Sequence, residues 1–228
     1  MIRPLARLVL LTLLVAGCGE RAPPAQPEAE REGSPLKVQA AERPPPPPKE
    51  QERGLVRVRL ETEAGPIVLL LDGRRAPVTV TNFLRYVDAG RFDDTNFYRA
   101  ARTRGHEGRG FIQGGIHRNY RLMFHPIAHE PTNETGLSHV EGAISMARSA
   151  PGNAMGEFFI TTAQITQMDA QDGRPGYAAF GRVIEGMDVV RTILASETVP
   201  NAGRGAMRNQ MIARPVRIIS ARRMASRG

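Results

Sequence analysis

The stretch from Asn96 to Gly115 sets the tightest bound on the fold. It reads N-F-Y-R-A-A-R, then a polar, glycine-bearing excursion T-R-G-H-E-G-R, then G-F-I-Q-G-G. Phe97-Tyr98-Arg99 and Phe111-Ile112-Gln113 both have strand character. Gly114-Gly115 then turns the chain sharply. If the excursion folds back, Arg99 and Gln113 lie side by side on neighbouring strands. A fixed charge and an amide beside aromatic rings would make the floor of a small pocket.

The chain around this stretch reads as one β-rich domain, from about residue 54 to the end at residue 228. Leu55 to Glu61 alternates Val56, Val58 and Leu60 with Arg57, Arg59 and Glu61, the pattern of a half-buried strand. Glu63 to Pro66 turns the chain, and the apolar run Ile67 to Leu71 suits a more buried strand. Pro77 opens a helix over about Val78 to Ala89, with Val80, Phe83, Leu84 and Val87 on one face and Gly90 as terminator. Strands return at Gly142 to Ala147, Glu157 to Thr161 and Tyr177 to Val183. Met187, Val190, Ile193 and Leu194 form one side of a second helix, and Val216 to Ser220 begins a last strand. Aromatic residues are 5% of the chain and tryptophan is absent, which predicts a mostly aliphatic core.

His117 to His139 reads as a loop and holds four of the five histidines. His125 and His129 are four apart, a spacing that suits metal ligands on a helix. No helix is expected there and no cysteine is at hand, so the reading is surface histidines and no metal. The formal net charge is +8. The arginines behind it are scattered, with no basic run interleaved with aromatics, so nucleic acid is not the expected partner.

Residues 1 to 17 have the pattern of a secretory leader. Arg3 and Arg7 precede the apolar run Leu8 to Val15, which is shorter than the roughly 18 to 20 residues of a spanning helix. V-A-G-C then places the single cysteine, Cys18, where it resembles the lipobox of bacterial lipoproteins. That resemblance implies cleavage before Cys18 and lipidation on it; the alternative is an ordinary signal peptide with an incidental cysteine. Gly19 rather than aspartate follows it, which points to the outer membrane and the periplasmic side of the envelope. Residues 18 to 53 include the run Pro44 to Pro48 and few large apolar side chains. They read as a disordered tether, spanning about 30 Å as a flexible coil and about 110 Å in polyproline form.

A second motif-bearing stretch, Gly142 to Thr162, reads G-A-I-S-M-A-R-S-A-P-G-N-A-M-G-E-F-F-I-T-T. Taken in order, F-Y-R, F-I-Q-G-G, I-S-M-A-R and F-F-I-T, closed by A-F-G-R-V-I-E-G-M-D-V-V, resemble the cyclophilin family of peptidyl-prolyl isomerases. The resemblance runs from about Leu55 to about Arg222. It implies a mainly β fold: a closed eight-stranded antiparallel barrel capped by two helices, one over each open end. It also implies an isomerase with no cofactor that acts on proline-containing polypeptides. For such a chain at the envelope, the expected role is folding of exported proteins, as a monomer.

The resemblance assigns residues as well. Arg99 stands at the family's catalytic arginine, and Gln113 at the glutamine that holds that arginine and the substrate backbone. Phe111, Phe159 and Met168 match the apolar wall around the proline ring, and Phe97 joins the substrate-binding set; for Phe97 and Phe159 alike, plain core packing is the alternative. Ala147 and Arg148 fall where a backbone group binds substrate, and Tyr177 at a position often held by histidine. There are departures. Tyr98 replaces a histidine. Gly110 replaces a wall phenylalanine, which predicts a shallower pocket. Glu157 replaces a glutamine, and its carboxylate is expected to pair with Arg99 and compete with substrate. These departures keep open a second reading, a cyclophilin-like module that grips proline-containing segments with little turnover.

Overall fold

In the computed structural model, which describes residues 54–225, the alternation near the start of the domain becomes β1 (Leu55–Thr62). Its buried Val58 and Leu60 pair with Leu69 and Ile67 of β2 (Gly65–Asp72), the more buried strand of the two. The Thr62 hydroxyl ties the turn between them, donating to the Gly65 carbonyl at 2.6 Å and accepting the Ala64 N–H at 3.2 Å. The stretches read as leader and tether, with Cys18 between them, lie outside the described residues.

Helix α1 (Pro77–Asp88) follows, one residue earlier than the sequence predicts. Val80, Phe83, Leu84, Tyr86 and Val87 are its buried apolar face. Its first turn has no local side-chain cap. Glu130 supplies one from a distant loop, accepting the N–H groups of Val78 and Thr79 at 3.0 and 2.8 Å and the Thr79 hydroxyl at 2.7 Å. A carboxylate at this end also meets the positive pole of the helix.

The chain continues through β3 (Thr95–Arg102), β4 (Gly110–Gly115), a four-residue α2 (Thr132–Thr135), β5 (Ala143–Met146), β6 (Glu157–Thr161), β7 (Ala179–Glu185), α3 (Met187–Ala195) and β8 (Met211–Arg223). The eight strands close into an antiparallel barrel in the order β1-β2-β7-β5-β6-β4-β3-β8. Closure pairs every strand on both sides and removes exposed edges. α1 lies against β8 and β2, and α3 against β3, β2 and β4. Both helices bury their apolar faces in the core that fills the barrel.

Three expectations need correction. A third helix, α2, sits inside the segment read as loop. β8 begins at Met211, five residues before the predicted start, because Pro215 falls between the Arg99–Met211 and Phe97–Val216 pairings, where the register slips. His139 is not a surface histidine; it is fully buried. The core is mostly aliphatic, as expected, and holds one aromatic cluster in which Phe83 touches Phe92, Phe158 and Phe180 with ring centroids 5.0 to 5.4 Å apart.

Candidate active site

Strand pairing assembles the site. Arg99 of β3 stands opposite Gln113 of β4, Gln113 opposite Phe159 of β6, and Phe159 opposite Ser145 of β5. Directly opposed residues put their side chains on the same face. The neighbouring row, Ala100, Ile112, Ile160 and Ile144, lies in the barrel core. Side chains alternate along a strand, so the Arg99–Gln113–Phe159 row stands on the outer wall.

Phe97 departs from this row. Two residues before Arg99, it would share the Arg99 face in a regular strand. A register shift between Phe97 and Arg99 breaks the alternation. Phe97 therefore turns inward, fully buried, with its ring edge-on to Phe158 at 5.8 Å. Gly114 opposite makes room, since a Cβ there would sit 2.7 Å from the Phe97 ring. The assignment of Phe97 to substrate binding is thus replaced by its alternative, core packing.

Arg99 is half-buried and held at three points. Nη1 donates to Gln113 Oε1 at 2.8 Å, Nε to Gln210 Oε1 at 2.8 Å, and Nη2 to the Ala206 carbonyl at 3.2 Å. The guanidinium carries five N–H groups, so two remain for a ligand. It lies 4.9 Å from the centroid of the Phe111 ring. Burial draws its pKa down, and the negative ends of Tyr98, Tyr177 and Glu157 oppose that. Arginine stays cationic under either influence.

The remaining predicted residues line one cavity of about 550 Å³ with Arg99: Phe111, Gln113, Ala147, Arg148, Glu157, Phe159, Met168 and Tyr177. Phe159 is fixed on three sides, by Phe111 at 5.2 Å, by Tyr177 edge-on at 5.4 Å, and by His139 stacked behind it at 5.7 Å. His139 is itself locked. Asp169 Oδ1 is 2.6 Å from its Nδ1, and Ser145 Oγ is 3.0 Å from its Nε2. The carboxylate can only accept, so Nδ1–H donates to it and Nε2 of the neutral ring accepts from the serine. Burial lowers the His139 pKa, and the neighbouring Asp169 opposes the shift without reversing it. Arg148 lies 4.9 Å over the Tyr177 ring and donates from Nη2 to the Gly176 carbonyl, while its buried Nε has no partner.

Sequence reasoning missed one wall entirely. Ala206, Met207 and Gln210 reach the site from the segment between α3 and β8. Met123 and Met155 add flexible apolar lining. Gly110, expected to make the pocket shallower, does not border it. A Cβ there would lie 2.1 Å from the Ala101 carbonyl oxygen, so no larger residue fits this backbone. Glu157 does not pair with Arg99. Its Oε1 accepts from the Tyr98 hydroxyl at 2.7 Å and lies 2.8 Å from His117 Nδ1. Among the described residues, no group of three or more His, Cys, Asp or Glu gathers to hold a metal ion.

Comparison with known proteins agrees with this geometry. The family model of cyclophilin type peptidyl-prolyl cis-trans isomerase/CLD matches residues 57–223. The peptidyl-prolyl cis-trans isomerase of Acinetobacter baylyi is 34% identical over 164 residues, covering 72% of this chain and 82% of the relative. Isomerase A of Dickeya dadantii is 37% identical over 142 residues, covering 62% and 72%. Isomerase B of Escherichia coli is 33% identical over 154 residues, covering 66% and 88%. A crystal structure of a Cryptosporidium parvum cyclophilin, determined in the presence of the dipeptide Ala-Pro, superposes with a TM-score of 0.59 at 20% identity. It covers 75% of this chain and 99% of that one, and at that identity the likeness speaks to fold. Matched along nearly the whole described barrel, the chain belongs to the cyclophilin-type peptidyl-prolyl cis-trans isomerase family.

Proposed function

We propose that this isomerase uses Arg99 as its catalytic cation on proline-containing polypeptides, and that it serves exported proteins from a lipid anchor at Cys18. The single observation that carries the catalytic part is the guanidinium held at three points, with two N–H groups to spare, beside an aromatic wall.

The reaction makes and breaks no covalent bond. Rotation about an X-Pro bond faces a barrier of about 18 to 20 kcal/mol and takes tens to hundreds of seconds unaided. Reaching about 10³ turnovers per second needs roughly 10⁵-fold acceleration, near 7 kcal/mol. Two effects supply it. The planar amide is more polar than the twisted one, so an apolar wall of Phe111, Phe159 and Met168 disfavours the ground state more. The twisted nitrogen also regains a lone pair, and a fixed N–H donor aimed at it binds the twisted form alone. Gln113 keeps the guanidinium aimed and offers its second amide N–H to the substrate backbone. Ala147 and Arg148 border the same cavity and hold the flanking chain.

The envelope role rests on the V-A-G-C string, the leader pattern before it and the proline-rich tether after it. A proline-peptide isomerisation assay tests the catalytic part: turnover that Arg99→Ala lowers by about 10²- to 10³-fold supports it, and binding with no turnover selects the binding-module reading. Membrane fractionation tests the anchor. The wild-type chain is expected with the membranes and Cys18→Ser in the soluble fraction; identical partitioning would remove the anchor from the account.

A further inference from the structure

We infer that Glu157 is a positioning residue, which fixes through Tyr98 the direction in which the Gln113 amide faces Arg99. The inference rests on Arg99 being the catalytic cation. It reverses the expectation that a carboxylate at this position competes with substrate.

Hydrogen-bond polarity sets the order of donors and acceptors along this chain of side chains. An ionised carboxylate only accepts, and a phenol has one proton to give. Glu157 Oε1 is 2.7 Å from the Tyr98 hydroxyl, so that proton goes to Glu157. Towards Gln113, 2.6 Å away on its other side, the phenol oxygen must then accept. Gln113 therefore presents Nε2 to Tyr98 and turns Oε1 to Arg99 Nη1, 2.8 Å away. The guanidinium is donor-only, so this is the one amide orientation it can use. An inverted amide would set N–H against N–H.

His117 braces both the carboxylate and the phenol. His117 Nδ1 lies 2.8 Å from the same Oε1, and the His117 ring stacks on the Tyr98 ring with centroids 4.1 Å apart. Burial, then the charge of Glu157, raises the Tyr98 pKa above its ordinary value, so the phenol keeps its proton throughout the physiological range. Tyr98 and Gln113 are both buried, at 5% and 7% exposure, so water does not compete for the chain of bonds.

The test compares the full-length wild type with Glu157→Gln, Tyr98→Phe and the double variant. Three readouts are taken: isomerisation of a proline tetrapeptide, thermal unfolding, and the side-chain amide ¹⁵N–¹H signals of Gln113. Tyr98→Phe keeps the ring stack and deletes the relay; kcat is expected to fall about tenfold, the value of one hydrogen bond to a charged group, with KM held within about twofold. Glu157→Gln is expected to lower kcat by less, because a neutral amide tolerates either orientation, and to move the Gln113 signals. The double variant should be no slower than Tyr98→Phe alone. Glu157→Gln activity at or above wild type in a folded chain would overturn the inference, as would losses that multiply in the double variant. A wild type with no turnover would sink the catalytic reading instead, and the Gln113 signals would still decide the polarity of the chain.

Discussion

Arg99 and Arg148 bring two guanidinium groups to one cavity, and the acceptors that hold them are amide and carbonyl oxygens. The cavity's own carboxylate, Glu157, is held by Tyr98 and His117. Cationic character is thus kept where a twisting amide would need it. Arg99→Lys should lose about 10²-fold in kcat/KM, because an ammonium cannot span Gln113, Gln210 and the Ala206 carbonyl at once. A lysine variant within a few fold of wild type would show that charge alone suffices. Phe97 and Phe111, two aromatic residues from the same hairpin, should separate cleanly. Phe97→Leu is expected to lower Tm and leave KM unchanged, whereas Phe111→Ala should raise KM several-fold at nearly constant Tm, as steady-state kinetics beside calorimetry would show. The hairpin register placed Arg99 beside Gln113 from sequence, because two short strand-like runs and a glycine pair leave little else. For Phe97 the sequence left wall and core both open, since a bulge leaves no mark in residue pattern. Neither was His139: its partner Asp169 is thirty residues away, and nothing local marks that histidine as buried.

At the scale of elements, α1 shows how a helix can take its cap from elsewhere. The apolar stripe and Pro77 made the helix legible; the cap was not, because Glu130 lies 51 residues beyond Thr79. Glu130→Ala should destabilise the fold by about 1 to 2 kcal/mol, read as a lowered midpoint in urea, with kcat/KM unchanged. An unchanged midpoint would mean that water caps the helix equally well. The segment before β8 is the complementary case. Asn201 and Asn209, both at left-handed φ (62° and 65°), fold it into a compact loop, and the Asn201 N–H donates to Asn209 Oδ1 at 2.7 Å. That loop delivers Ala206, Met207 and Gln210 to the site. It was not legible because its asparagines and glycines read as a plain connection, and because Pro215 hid the true start of the strand.

For the whole molecule, composition and periodicity reached a β-rich domain and stopped there; closure is a matter of which strand meets which, and only the ordered motifs implied it. β6, paired between β5 and β4, carries Phe159, and the fully buried His139, held by the partly exposed Asp169, stacks behind that ring. This gives stability a pH dependence. Burial holds His139 below its ordinary value, so the unfolded chain takes up a proton near pH 6.5 that the folded chain refuses. The stabilisation is complete above about pH 6.5 and is lost as pH falls from there towards the folded value. Asp169 adds to this at lower pH. Its burial raises its pKa, but hydrogen bonds from Ser138 and His139 outweigh that and leave it lowered, so its contribution fades only below about pH 3.9. Tm should fall between pH 7 and pH 5, and fall less in His139→Gln; equal slopes would remove His139 from the explanation. The central claim is most directly tested by the rate of cis-to-trans conversion of a proline peptide with wild type and with Arg99→Ala, both shown to be folded. The account predicts rapid wild-type turnover and a loss of about 10²- to 10³-fold in kcat/KM in the variant. Equal rates for the two proteins would contradict it.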